Sequence, residues 1–220
     1  MTVDNRSLDN YKAKLLANYS VSGSPIENTV VKGRDRPSYL LTSTSIGLKT
    51  ITLPLRLSGE NHHEIALNKS RLDMACHGRH ELWLPDGFWY SAILEDAGTI
   101  AWRGMQIGEC TYVWSGIQHG SVVVGDRSPF FCSSTVPKTD CILSATVGAD
   151  ADKYNLNGIV FLDVQAGDNI VADGIDKRIL LNGGPAANRC VFFAFPYLVP
   201  GENVISAPDP VTVTYFPTYI

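Results

Sequence analysis

The sequence predicts a mainly β protein with one α-helix, arranged as a sheet structure that carries the helix and then a small β-sandwich. Three observations predict it. Twelve prolines and nineteen glycines punctuate short runs rich in Val, Ile, Thr, Tyr and Phe, the pattern of strands between turns. One segment, about 62–77, stands out with apolar residues at helical spacing. After Ser128–Lys138, a stretch with two prolines and a Ser-Ser-Thr run, the pattern becomes almost purely β. That stretch is read as a junction, with a first domain over 1–132 and a second over 133–220.

The first strand with a clear face is Thr50–Leu57. Ile51, Leu53, Leu55 and Leu57 alternate with Thr52, Pro54 and Arg56, so one face is expected in a core. Pro54 lacks an amide hydrogen and hints at an edge or a bulge. The helix follows. Asn61 is its expected cap, with Glu64 three residues on; Ile65, Leu72 and Cys76, with Ala75, form its apolar stripe; Gly78 is the expected stop. Leu82-Trp83-Leu84 then enters Pro85-Asp86-Gly87, a turn signal. Tyr90–Leu94, Gly108–Gly116 and Val122–Val124 are further strands. In the second domain, Gly158–Val164 is an apolar strand, and Asn169–Ala172 with Lys177–Leu181 flank Asp173-Gly174 as a hairpin. Asn182-Gly183 ends that run. Arg189–Phe195 and Val211–Tyr215 complete the expected strands, with several turns over the last 85 or so residues, as in a sandwich.

Composition narrows the function. The 220 residues are 45% hydrophobic and 18% charged, with a net charge of −4, which is a globular balance. From Ser133 on there are 5 Lys and Arg against 9 Asp and Glu, and the remaining 13 of each sign cancel. Neither part is basic, which argues against sequence-independent nucleic-acid binding. The polar start of the chain has no apolar leader core, and no apolar run is long enough to span a membrane. Five cysteines, Cys76, Cys110, Cys132, Cys141 and Cys190, are an odd number and are expected as reduced thiols in a cytoplasmic product.

Catalytic and metal chemistry find little purchase. Cys76, His77 and His80 lie close in sequence, with His62 and His63 upstream. Zinc needs three or four converging N or S ligands, and these residues straddle a helix end with no Cys-x-x-Cys beside them. They are read as surface histidines and a buried thiol; histidines brought together between subunits would instead sense pH. Asp163, Asp168, Asp173 and Asp176 cluster in sequence, but turns scatter them, so a glycosidase pair is the weaker reading beside turn aspartates. No Gly-x-Ser-x-Gly elbow exists, Ser22-Gly23-Ser24 is a loop, and Gly183-Gly184-Pro185 lacks the Lys-Ser/Thr of a phosphate loop. No catalytic residue, cofactor or metal is therefore assigned. Trp83, Trp89, Trp102 and Trp114 all lie in the first domain. Trp and Arg are enriched where subunits meet, which makes Trp83, Trp89, Trp102, Arg34, Arg36 and Arg103 the candidate assembly residues.

The order of several motifs resembles the distal tail proteins of siphophages and related prophage particles. In the first domain these are Lys32-Gly33-Arg34-Asp35 before a strand, Ile51 to Gly59, the helix, and Leu82-Trp83-Leu84-Pro85-Asp86-Gly87-Phe88-Trp89-Tyr90. In the second they are Gly167-Asp168 through Asp173-Gly174, Asn182-Gly183, Phe195-Pro196-Tyr197-Leu198-Val199-Pro200-Gly201-Glu202-Asn203, and the closing Val213-Thr214-Tyr215-Phe216-Pro217-Thr218-Tyr219. The resemblance covers most of residues 25–220. It implies a β-sandwich-like N-terminal domain forming a hexameric ring and a galectin-like C-terminal β-sandwich. It also implies a structural, non-enzymatic protein of the virion tail tip, assembled in the host bacterial cytoplasm. The expected partners are other copies of the chain, the tail-tube protein and the tail-associated hub protein of the baseplate, with DNA passing through the channel without specific binding and no membrane insertion. The chain is short for the family, which implies trimmed loops. A carbohydrate-binding module for host attachment, a wall-degrading enzyme and a tail-tube or tail-completion subunit are the rival readings.

Overall fold

The computed structural model describes residues 1–34, 38–126 and 128–220. It divides into two compact units, 1–119 and 120–219, each with its own core. The division falls ahead of the expected one after residue 132, because strands at 123–125 and 130–132 pair with strands of the second unit.

The first unit is an antiparallel sheet with a helix against it. Its strands are β1 (Thr2–Val3), β2 (Arg6–Ser7), β3 (Ala13–Leu15), β4 (Ser20–Val21), β5 (Ile26–Lys32), β6 (Tyr39–Ile46) and β7 (Lys49–Ser58). After helix α1 (His62–Ala75) come β8 (Arg79–Trp83), β9 (Trp89–Asp96), β10 (Ala101–Trp102) and β11 (Ile107–His119). The sheet runs β2-β1-β8-β9-β11-β7-β3, with β10 also on β11 and β4 also on β7. Ile51, Leu53, Leu55 and Leu57 are all buried on β7, as the alternation requires, and burying each contributes roughly 1.5–3 kcal/mol. Trp114, Tyr112 and Tyr90 fill the same core.

Pro54 is at neither an edge nor a bulge. One side of β7 pairs continuously with β11. The other pairs with β3 as far as Leu55 and with β4 from Thr52. Pro54 falls in the gap between those two short strands, where its carbonyl accepts the Leu16 N–H at 2.9 Å. Its missing donor therefore interrupts no ladder.

Helix α1 begins where the capping residues require. The Asn61 side chain accepts the Glu64 N–H at 3.0 Å, and Glu64 accepts the Glu60 N–H at 2.6 Å, one residue earlier than the usual reciprocal bond. The helix buries Ile65, Asn68 and Leu72, and Gly78, with φ 108°, follows its end. On the inner face Asp73 accepts from Lys69 at 2.8 Å and from the Tyr112 hydroxyl of β11.

The second unit is a two-layered sandwich. Its strands are β12 (Val123–Gly125), β13 (Phe130–Cys132), β14 (Thr139–Thr146), β15 (Ala151–Leu156), β16 (Ile159–Val164), β17 (Asn169–Asp173) and β18 (Arg178–Leu181). They continue with β19 (Gly184–Pro185), β20 (Cys190–Val191), β21 (Tyr197–Leu198), β22 (Gly201–Asn203) and β23 (Val211–Tyr215). One sheet runs β12-β23-β14-β17-β18-β19, and a smaller one runs β15-β16-β20. Leu143, Ile170, Ala172 and Val213 of the first share a core with Tyr154, Leu156, Phe161 and Val164 of the second, the two-layer packing of a sandwich. The tight β15–β16 hairpin turns on Asn157-Gly158, both at positive φ (49° and 90°), the backbone an Asn-Gly pair tolerates best. The expected strand over Arg189–Phe195 shortens to Cys190–Val191. Phe192 and Phe195 turn toward each other, ring centroids 5.2 Å apart, and Phe193 is left fully exposed.

Candidate assembly surfaces

The candidate assembly residues occupy three places on the first unit. Trp83 and Trp89 are cross-strand partners on β8 and β9. Their ring centroids lie 5.0 Å apart at a tilt of 46°, a contact that contributes ~0.5–1.5 kcal/mol beyond area. They flank the Pro85-Asp86-Gly87 turn, where Asp86 accepts the Phe88 N–H at 3.1 Å and the Tyr90 hydroxyl at 2.6 Å. Burial, with Asp86 beside it, pushes the Tyr90 phenol well above its usual value.

Trp102 and Arg103 share a second place. Trp102 is 44% exposed and stacks on His62, centroids 4.1 Å apart. The His62 Nε2 meets the Gly104 carbonyl at 2.9 Å, tying the loop to the start of the helix. Arg103 Nε donates to one Glu109 oxygen at 2.8 Å and Arg56 Nη2 to the other at 2.9 Å. These two guanidinium groups, Arg103 first, hold the Glu109 carboxyl below its usual range. Arg34 is exposed just beyond β5, and Arg36 lies outside the described residues. Trp114 belongs to the core instead.

Sequence reasoning expected a strand after Asp35 but missed β5 and the hairpin the two form. Strands β5 and β6 pair from Ile26↔Ile46 to Lys32↔Tyr39, and among the described residues they pair only with each other. Almost every residue of both is exposed, including Val31 at 58%, Tyr39 at 74% and Leu40 at 66%. The available signal was the lack of apolar–polar alternation in either run, which leaves no buried face. The same unit carries an open groove of about 630 Å³ lined by Leu8, Leu15 and Tyr19 together with Asp9, Lys14 and Arg56.

The residues weighed for chemistry are held in other duties. His80 Nδ1 meets Asp4 Oδ2 at 2.6 Å, and Asp4 also accepts the Glu81 N–H at 2.9 Å. Burial opposes ionisation of Asp4, but the Glu81 amide and His80 outweigh it and hold the carboxyl low. On the same strand Glu81 meets His119 Nε2 at 2.7 Å. Here too burial is outweighed, by His119 and Ser91, and the carboxyl is held below its usual range. Burial pushes the Cys76 thiol up to about 12. Among the described residues no group of three or more His, Cys, Asp or Glu comes together to hold a metal. Asp173 accepts the Ile175 and Asp176 amides, each at 2.9 Å, and Asp168 accepts the Gln165 amide at 2.8 Å, so both hold turns.

No protein-family model matches the chain, and no curated protein matches it. Its fold is nevertheless present among solved structures. The crystal structure of the Dit protein of phage SPP1, described as a paradigm of the hub adsorption apparatus in phages that infect Gram-positive hosts, matches with a TM-score of 0.77. That match has 14% identity and covers 99% of this chain and 98% of that one. A chain of the phage p2 baseplate in its activated conformation with Sr matches at TM-score 0.54 and 10% identity, over 95% of this chain and 91% of that one. The same baseplate with Ca gives 0.53 at 10% identity. At these identities the likeness is one of fold, a Dit-like β-sandwich architecture carried from end to end.

Proposed function

We propose that this chain is a structural distal tail protein of a siphophage-type particle. Copies of it close into a ring, hexameric by analogy, between the tail tube and the tail-tip hub or baseplate, and the genome passes through the opening. The single observation that carries the reading is the match to the SPP1 Dit protein, which covers 99% of this chain and 98% of that one. A local match would have suited many functions, since folds are shared widely; here both domains recur in order within a chain of the same length. The mechanism is geometric: head-to-tail surfaces on identical subunits close when the rotation between neighbours divides the circle. Its working parts are surfaces such as the Trp83–Trp89 pair, the Trp102–Arg103 loop and the Arg34 end of the hairpin. No bond is made or broken, and Asp168 and Asp173, two of the aspartates that might suggest hydrolysis, are spent on turns. Negative-stain images of the purified protein should show closed annuli, and antibodies to it should decorate tail tips; a protein missing from tips overturns the reading.

A carbohydrate-binding role for the second unit has one observation in its favour. Phe193 is 104% exposed, and elsewhere on the same unit Lys138 sits over the Tyr197 ring, 4.3 Å from its centre. Exposed rings beside polar groups are what sugars stack on. Glycan-array binding that is lost in Phe193→Ala would support it; a silent array would dispose of it.

A further inference from the structure

We propose that the solvent face of helix α1 docks an acidic amphipathic helix of another protein. The inference stands apart from the ring reading, since the occupant it names is not a copy of this chain. A helix lying on a sheet needs one apolar stripe, and its outer face is ordinarily polar. Helix α1 has that stripe, with Ile65 and Leu72 buried in the core of the first unit. Yet on its other side Leu67 is 43% exposed and Met74 79%. These two are seven residues apart, so they stand on one side of the helix about two turns from each other. Between them lie Ala66, Ser70 and Arg71, all exposed. Side chains four apart form rows along a helix. Ala66 and Ser70 make a low row, and Leu67 and Arg71 make the ridge beside it. The low row begins at His62, on which the exposed Trp102 ring stacks.

Charge decides the occupant. Both acidic side chains of the helix are engaged. Glu64 accepts the Glu60 N–H, and Asp73 holds Lys69 and the Tyr112 hydroxyl. The ionisable groups left toward water are Arg71, with His63 and His77, and among the described residues Arg71 meets no carboxylate. A free guanidinium between two exposed apolar side chains is complementary to a partner with acidic residues beside apolar ones. The backbone of that partner is fixed by what α1 can offer. A sheet edge binds extended peptides through its unpaired amides, but the amides and carbonyls of a helix are bonded along its own axis. Only side chains are presented, which suits a second helix with a leucine ridge in the Ala66–Ser70 row and carboxylates on Arg71. Met74, unbranched and adaptable, closes the far end. The 14 residues of α1 span about 20 Å, room for roughly four turns of the partner.

The test uses the intact chain and a fluorescein-labelled peptide of Glu, Ala and Leu, about 18 residues long so that it is helical alone, with leucines at i, i+4 and i+7 between glutamates. Fluorescence anisotropy should show saturable binding. Ala66→Arg, which fills the low row, should weaken it by about tenfold or more, with an unchanged circular dichroism spectrum and urea midpoint. Arg71→Glu should reverse the preference, so that the same peptide with lysine for every glutamate binds in place of the acidic one. In a separate arm, benzoylphenylalanine in place of Ser70 should photo-crosslink to the acidic peptide. A native chain that fails to bind the acidic peptide overturns the proposal, as does binding that Ala66→Arg leaves intact or that the lysine peptide matches. A dimer-sized band from position 70 without peptide gives the face to a second copy and also overturns it. The ring reading is tested by the images and the tail-tip decoration, and none of these outcomes touches it.

Discussion

Asp4 is a small residue with several jobs. Its backbone is left-handed at φ 48°, it turns β1 into β2, and its carboxylate ties that edge to β8 through His80 and the Glu81 amide. Glu81 repeats the arrangement with His119. Both carboxyls ionise more readily than the ordinary 3.8 and 4.5. A depressed folded-state pKa means the unfolded chain binds protons first, so the contribution is present above the ordinary values and lost as pH falls through the folded ones. The urea midpoint should therefore fall steeply below about pH 4.5, and Asp4→Asn should flatten that slope. Thiols give a second check at this scale. Burial pushes Cys110 to about 11 and Cys76 and Cys141 to about 12, and Cys132 is buried while Cys190 is part-exposed. Since the thiolate is the reactive form, Ellman's reagent at pH 8 should reach only Cys190 in the native protein and all five thiols in denaturant.

At the scale of elements, the turn after β17 leaves no room for a side chain at Gly174. Gly174 donates to the Cys141 carbonyl at 2.9 Å, and a side chain there would come within 2.3 Å of the Pro196 carbonyl and 2.7 Å of that of Cys141. Both obstacles are backbone, so Gly174→Ala should destabilise the protein by about 1–3 kcal/mol, read as a lower urea midpoint with an unchanged slope. This turn was legible as Asp173-Gly174, and so were β7, α1, β11 and β16, because period and punctuation agree in those segments. What was not legible depends on distant partners. Pro54 reads as an edge signal until β3 and β4 are seen to leave it a gap. Phe192–Phe195 has strand composition, yet the strand stops at Val191 and Phe192 packs on Phe195 beyond it. Of the β5–β6 hairpin only the strand after Asp35 was legible, through the motif order, because burial marks strands in a sequence and neither strand has a buried face. The candidate assembly residues were legible as types but not as a group, since the fold sends them to three places.

For the molecule as a whole, charge is unevenly shared, with the net of −4 carried from Ser133 on. Phosphate backbones are held by clustered Lys and Arg, so the protein should not retard duplex DNA in a gel at about 0.15 M salt, where screening reaches only ~8 Å. Retardation there would contradict the proposed passage of DNA without binding. The two cores and the β5–β6 hairpin bear on a different property. None of the residues packed into either core lies on β5 or β6. Substitutions in the hairpin therefore leave both cores intact, and over evolutionary time its sequence is freer to drift than theirs.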